Sequence, residues 1–418
     1  MFFLLSLLLS HLVVAQDTTR ARKNLNMLAS EKMKGRGYLF NGHKNAAKCI
    51  VSEMKKAGLR TIQGSYFQDF TMAQNLFPKE PELQIGNNKL KAGADFIPSP
   101  DCPSISGNFV LRSIDSIQEN NGQLIFPEAK KEEAWIISLS VQNKLKKASD
   151  WKALSKNGPG LVILPKQKLT HSLSEEQSGF AMVQILESSL NRLKLNLNTN
   201  LPHVVKVKIS AIVKKDIKTS NLIGVSKGTS KSDSIVVVCA HYDHLGALGK
   251  KVFFPGANDN ASGTAMLLEM AYYFQTRPHV YDIVFIAFTG EEAGLLGSFH
   301  FVNHPLFPLK SIKFVLNLDL MGFGDKGATV VNGTILPTQF SLLQKINAEK
   351  GYLPIVNARG KASNSDHYPF SEAGVPAFFV YTLGGPGYYH DVFDKPETVT
   401  FSKFTSVFRW LIDFLNSL

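Results

Sequence analysis

The stretch "VVVCAHYDHLG" (residues 236–246) sets an unbroken apolar run directly before His241, Tyr242, Asp243 and His244. A continuous apolar run is what a strand buried on both faces of a parallel sheet requires. Ionisable side chains placed immediately after it stand at the carboxyl edge of that sheet, where open α/β folds bind their ligands.

The same pattern recurs downstream. "DIVFIAF", "IKFVLNL" and "VPAFFVYT" are continuous apolar runs, and helical spacing is found in "ASGTAMLLEMAYYFQ", "GLLGSFHFVNH", "PTQFSLLQKINAEKG" and "SKFTSVFRWLIDFLNSL". From about Thr219 onward the expectation is an α/β fold, a mostly parallel mixed sheet flanked by helices on both faces. Each run leads to ionisable groups: the first to His241 and Asp243, the second to Glu291 and Glu292, the third to Asp319, and the fourth into a loop holding His390. Asp259, in "GANDNASG", stands just before the helix that follows the first run. A lone His or Asp at a strand end is usually a structural hydrogen-bonder, whereas a set drawn from several strand ends points to a site.

Upstream, "NLNMLASEKMKGRG" and "GHKNAAKCIVSEMKKAGL" predict two helices, broken near Gly35 and Gly37 and stopped at Gly58. Residues from about 85 to 215 differ: "GNFVLRSI", "AWIISLS", "GLVILP" and "HVVKVKISAIV" are short runs between Gly, Pro and Asn clusters. They read as a smaller inserted β-rich α+β domain over 85–215, splitting a catalytic domain of residues 16–84 and 216–418. The insert shows no cluster of metal-binding or nucleophilic residues. Residues 1–15, within "MFFLLSLLLSHLVVAQDTTR", read as a signal peptide cut after Ala15, too short to span a bilayer. The mature chain is therefore expected to be extracytoplasmic, periplasmic or secreted, with no membrane segment.

With 46 Lys+Arg against 34 Asp+Glu the chain is basic, but its lysines are scattered or sit in runs such as "NKLKKASDWKALSK" that read as solvated faces. No basic groove interleaved with aromatics is evident, so nucleic acid is not the expected partner. The three cysteines, Cys49, Cys102 and Cys239, make no disulfide framework.

Carboxylates gathered this closely would repel one another or hold protons unless a cation neutralised them. Mixed imidazole and carboxylate donors favour zinc, with cobalt or manganese as substitutes, over calcium or magnesium. The number of groups suggests two ions bridged by a shared carboxylate.

In order, "AHYDHLG", "GANDNASG", "FTGEEAGLLGS", "LNLDLMG", "SDHYPF" and "YYHDVFD" resemble the di-zinc aminopeptidases of zinc exopeptidase clan MH, a superfamily that includes glutamate carboxypeptidases and the transferrin receptor ectodomain. "LASEKMKGRG" and "TSNLIGVSKG" are also similar to this family, in its form with an inserted protease-associated domain, and "DWKALSKNGPGLVILP" is similar to such a domain. The resemblance implies two zinc ions, His241 and Asp319 on one, Glu292 and His390 on the other, and Asp259 bridging. It makes Glu291 the general base for a metal-activated water, Asp243 an acid orienting His241, and Tyr389 a polariser of the scissile carbonyl, with Tyr381 and Tyr388 as competitors. It also implies a cis peptide between Asp259 and Asn260. His244 and His367 are expected to support the site, and His300 and His304 to be surface or packing residues. Peptides with a free N-terminus are the implied substrates.

Rival readings are a serine hydrolase using Ser226 in "GVSKG", a glutamate-carboxypeptidase-like enzyme, a single-zinc glutaminyl cyclase, and a non-catalytic binding protein. The serine elbow needs a helix after Ser226, where "TSKSDSIVVV" predicts a turn and a strand. A binding protein that had lost its metals would lack ligands, and all five are present.

Overall fold

The computed structural model describes residues 17–121, 123–145, 147–193, 203–230 and 233–418. The expected signal peptide lies outside these residues.

The four apolar runs form the middle of an eight-stranded sheet. In spatial order its strands are Phe67–Leu76, Ile212–Ser226, Asp282–Phe288, Ile235–His241, Ile312–Asp319, Ala377–Thr382, Ala328–Val331 and Val356–Arg359. The central four are mutually parallel, so their carboxyl ends share one edge. Antiparallel neighbours flank them on both sides.

Both faces of this sheet are covered, which explains the unbroken apolar runs. Along Ile235–His241, Val236, Val238 and Ala240 enter a core shared with helices Thr18–Leu28, Gly42–Ala57, Gly263–Gln275, Pro337–Lys350 and Phe404–Asn416. Val237 and Cys239 enter the opposite core, under helices Leu296–Asn303 and His367–Glu372. Burying each such side chain contributes roughly 1.5–3 kcal/mol, so strand and helices fix one another. The second N-terminal helix, Gly42–Ala57, falls where its spacing predicts, and Gly58, at φ +84°, ends it. The first, Thr18–Leu28, starts ahead of the stretch 24–37 that predicts it, whose later part, Glu31–Arg36, is a short 3-10 segment kinked at Lys34 and Gly35.

A second eight-stranded sheet is built from residues between Glu82 and Ile209. Its central strands, Ile105–Ile114, Glu133–Ile137, Leu161–Lys166 and Ala181–Leu186, are parallel. The strand Ile212–Ser226 runs unbroken across residues 215 and 216 and pairs with Phe67–Leu76 from Leu76↔Ile212 to Phe67↔Leu222. This two-stranded ribbon connects the layers. The inner face of the second sheet shares its core with Leu245, Leu248 and Phe254, which follow the His241 strand. The layer is thereby seated beside the polar edge of the first sheet.

Candidate metal centre

Each strand end delivers its residue to one place because the central strands are parallel and in near register. His241 closes its strand and Asp319 the next, while Glu291 and Glu292 follow the strand ending at Phe288. Asp259 lies in the turn before helix Gly263–Gln275, and the Asp259–Asn260 peptide is cis, as the resemblance implied. His390 comes from the loop after the Ala377–Thr382 strand.

The two oxygens of Asp259 face different partners. Oδ1 lies 3.4 Å from His241 Nε2, which is also 3.4 Å from Asp319 Oδ2. Oδ2 lies 3.2 Å from His390 Nε2, which is 3.1 Å from Glu292 Oε2. Glu291 Oε2 approaches His241 Nε2 at 3.8 Å, the longest of that nitrogen's three carboxylate contacts. His241, Asp259 and Asp319 can offer donor atoms within 4.8 Å of one another, as can His244, Asp259 and Glu292.

Burial and crowding set the charges. Burial pushes Glu291 well above the ordinary carboxylate range, and it lifts Asp319 to about 6. Burial opposes ionisation of Glu292 too, but His390 and His244 hold it well below its usual value. Burial works against a charged His390, yet Glu292 and Asp259 raise it to about 11. His241 is likewise raised against burial by Glu291 and Asp319. With no cation, the carboxylates recruit protons onto the imidazoles. A divalent ion would take the place of those protons. Nε2 of His241 and Oδ1 of Asp319 are buried without hydrogen-bond partners, a condition costing about 1–3 kcal/mol per group that a metal bond would relieve. The residues fit zinc by donor type.

The supporting groups show what the linear reading missed. Arg36, fully buried, donates to the carbonyls of Leu28, Tyr242, Pro255, Gly256 and Asp259, riveting the Asp259 turn to the N-terminal segment. Gly37 permits this approach, because a Cβ there would fall 2.2 Å from the Gly246 Cα. Asp394 accepts from the backbone N–H of Asn258 and Asp259 at 2.9–3.1 Å. Asp366 is fully buried and joins the acids around Glu291. Arg36, Asp366 and Asp394 all lie inside stretches quoted above for other reasons, so the signal was present but unread.

Three expectations change in detail. The Asp243 carboxylate is 3.9 Å from His241 Nδ1, which instead contacts the Asp243 carbonyl at 3.3 Å. The carboxylate accepts from the Tyr38 hydroxyl at 3.0 Å and the Glu291 N–H at 3.3 Å, so it steadies the glutamate pair. His244 is closer to the centre than expected, its Nδ1 2.6 Å from Glu292 Oε1. Ser226 pairs with Ile283, at the start of the Asp282–Phe288 strand, and so sits on the opposite edge of the sheet from the polar cluster. That position removes the serine-hydrolase reading.

Tyr389 stacks on His390 with ring centroids 3.9 Å apart. Tyr388 packs towards Phe393, and Tyr381 lies on its strand against Phe379. His300 stacks on Phe70 and on His304. His367 is buried, its ring 5.4 Å from Phe379.

The sequence profile of Peptidase family M28 matches residues 221–415. Aminopeptidase YwaD of Bacillus subtilis strain 168 is 39% identical over 163 residues, 38% of this chain and 34% of the relative. A probable lipoprotein aminopeptidase, LpqL, of Mycobacterium tuberculosis is 30% identical over 191 residues, 42% of this chain and 36% of the relative. The matched stretch thus spans only about a third of these curated relatives. Among solved structures, a zinc aminopeptidase from Bacillus subtilis superposes with a TM-score of 0.66 at 21% identity, covering 96% of this chain and 94% of that one. An aminopeptidase from Aneurinibacillus sp. strain AM-1 gives 0.63 at 20% identity, covering 96% and 93%. At such identities these two establish the fold, which includes the second layer.

Proposed function

Because residues 221–415 match the profile of peptidase family M28, we propose that the protein is a di-zinc aminopeptidase acting outside the cytoplasm. The observation that carries the reading is Asp259, whose Oδ1 lies 3.4 Å from a His241 nitrogen that also contacts Asp319, and whose Oδ2 lies 3.2 Å from a His390 nitrogen that also contacts Glu292. His241 and Asp319 would hold one ion, Glu292 and His390 the other, with Asp259 shared between them. His244, hydrogen-bonded to Glu292 Oε1, would orient that ligand from behind. Bound there, two ions would polarise the scissile carbonyl and lower the pKa of an attacking water.

The chain's own residues supply the rest. Glu291 is tied to the site by a long contact to His241 and by its backbone to Asp243, which leaves its carboxylate to move a proton. It takes the proton of the attacking water and returns it to the leaving amine. Tyr389 keeps its hydroxyl proton, since partial desolvation of the hydroxyl and the site's carboxylates raise its pKa although the residue as a whole is exposed, and it can donate to the carbonyl oxygen. Acidic side chains near Glu291 and Asp319 would give a substrate ammonium a seat, which favours cleavage at a free N-terminus.

No helix among the described residues is long and apolar enough to cross a bilayer. The proposed signal peptide accounts for export. Elemental analysis should find about two zinc ions per chain under this two-metal arrangement. Leu-p-nitroanilide should be hydrolysed and its N-acetyl form left intact. Comparable rates on both would overturn the aminopeptidase reading, and ammonia release from N-terminal glutamine without peptide cleavage would point to a cyclase.

A further inference from the structure

Four of the five proposed ligands are fixed within the catalytic sheet and its neighbours. His241 and Asp319 end strands, Glu292 follows one, and Asp259 is held by Arg36 and Asp394. His390 has no such support. It lies in an irregular loop in which Gly384, Gly385, Gly387 and His390 itself all adopt positive φ. Such a loop has many accessible conformations, so something else must hold the imidazole on Asp259 and Glu292.

That restraint comes from the second layer. The His390 Nδ1–H donates to the His171 carbonyl at 3.0 Å, and the His171 N–H donates to the His390 carbonyl at 2.9 Å. A carbonyl can only accept, so the first bond fixes the tautomer and leaves the Nε2 lone pair facing the site. Lys168 adds a second attachment: its ammonium donates to the Gly387 carbonyl at 2.8 Å and lies 3.4 Å from Asp391 Oδ2. Asp391 in turn accepts from the Tyr389 and Phe393 N–H groups. The buried His171 ring lies flat against Phe254, 4.7 Å between centroids and 10° between planes. Phe254 precedes the Asp259 turn by five residues. One short segment after the Leu161–Lys166 strand therefore braces the loops of two proposed ligands.

We propose that the 167–171 segment of the second layer is a positioning element of the metal centre, with His171 and Lys168 holding His390 in its ligating tautomer and orientation. The layer then contributes to metal affinity as well as to the walls of the site. This inference rests on the two-metal reading above. Partners that orient a ligating histidine are typically worth 10- to 100-fold in metal affinity.

Zinc competition against a chromophoric chelator, run on the folded full-length chain, tests it. His171→Gly removes the ring that seats the clamp and should weaken one of the two ions by about 10- to 100-fold while leaving the other unchanged. Lys168→Ala, at a half-exposed position outside the core, should weaken the same ion by a smaller factor. His171→Phe should bind like wild type, because it keeps the flat contact with Phe254 and the lost Nδ1 has no partner. Lys206→Ala, on the exposed side of the Val204–Ile209 strand, serves as a control. Unchanged affinity for both ions in His171→Gly and Lys168→Ala would overturn the proposal, as would equal weakening of both ions. If His171→Gly does not fold, Lys168→Ala decides alone. A wild-type chain that binds no zinc would instead overturn the two-metal reading.

Discussion

The two eight-stranded sheets of this molecule share a central block of four parallel strands and differ in what stands at the strand ends. In the catalytic sheet the carboxyl edge presents His241, Asp319 and the glutamates after Phe288. In the second sheet the corresponding polar groups serve local structure. Ser138 starts the helix Leu139–Gln142, and the Asp115 carbonyl accepts from Ser138 and Ser140. Parallel architecture creates an edge where chemistry can be assembled, but only the side chains placed there make a site. The second sheet's contribution to the site follows its Leu161–Lys166 strand, where the His171 backbone accepts from the His390 imidazole and donates to the His390 carbonyl, and the Lys168 ammonium donates to the Gly387 carbonyl.

The sharpest way to break this contrast is to remove the proposed proton carrier from the polar edge of the first sheet. Glu291→Gln should reduce turnover by roughly 10²- to 10⁴-fold, the range of general acid–base catalysis, with zinc content unchanged. Steady-state kinetics alongside metal analysis checks this. Loss of an ion in this variant would make Glu291 a ligand and exchange its role with that of Glu292.

A core deletion in the second sheet sharpens the contrast from the other side. Trp135 is completely buried there, and its indole N–H donates to Glu133 at 2.8 Å. Trp135→Ala should lower unfolding free energy by about 3–5 kcal/mol, read from denaturant titration. Folded enzyme below the transition should retain its kcat on small aminoacyl substrates, since Trp135 packs in a cluster separate from the one containing Phe254. A fall in kcat before unfolding would mean the layer transmits core changes to the metal centre.

The smallest effect is expected at Ser226. It is buried on the far edge of the catalytic sheet, so Ser226→Ala should leave kcat/KM unaltered. A large loss would reopen nucleophilic serine chemistry.

Much of the catalytic sheet was legible because burial on both faces forces continuous apolar runs, and the strand Ile235–His241 is buried from its second residue on. The second layer was harder to read. Its Val204–Ile209 strand alternates, with Val205, Val207 and Ile209 buried and the intervening lysines exposed, which marks a strand but not its neighbours. Its partners on either side, Ile105–Ile114 and Glu82–Ile85, come from distant parts of the chain.

The two proposed histidine ligands show where the sequence's authority ends. His241 directs Nδ1 at the carbonyl of Asp243, two residues along, so both ligand and support lie within "AHYDHLG". His390 directs Nδ1 at the carbonyl of His171, 219 residues away. A backbone carbonyl is the same in every residue, so nothing in the side chain at 171 advertises the bond. The order of acids and histidines after apolar runs determined the parallel sheet, its polar edge and the candidate ligands by themselves. Which carbonyl fixes His390 was decided only when the second layer packed against Phe254, because a backbone acceptor acquires its partner through position and not through chemical identity.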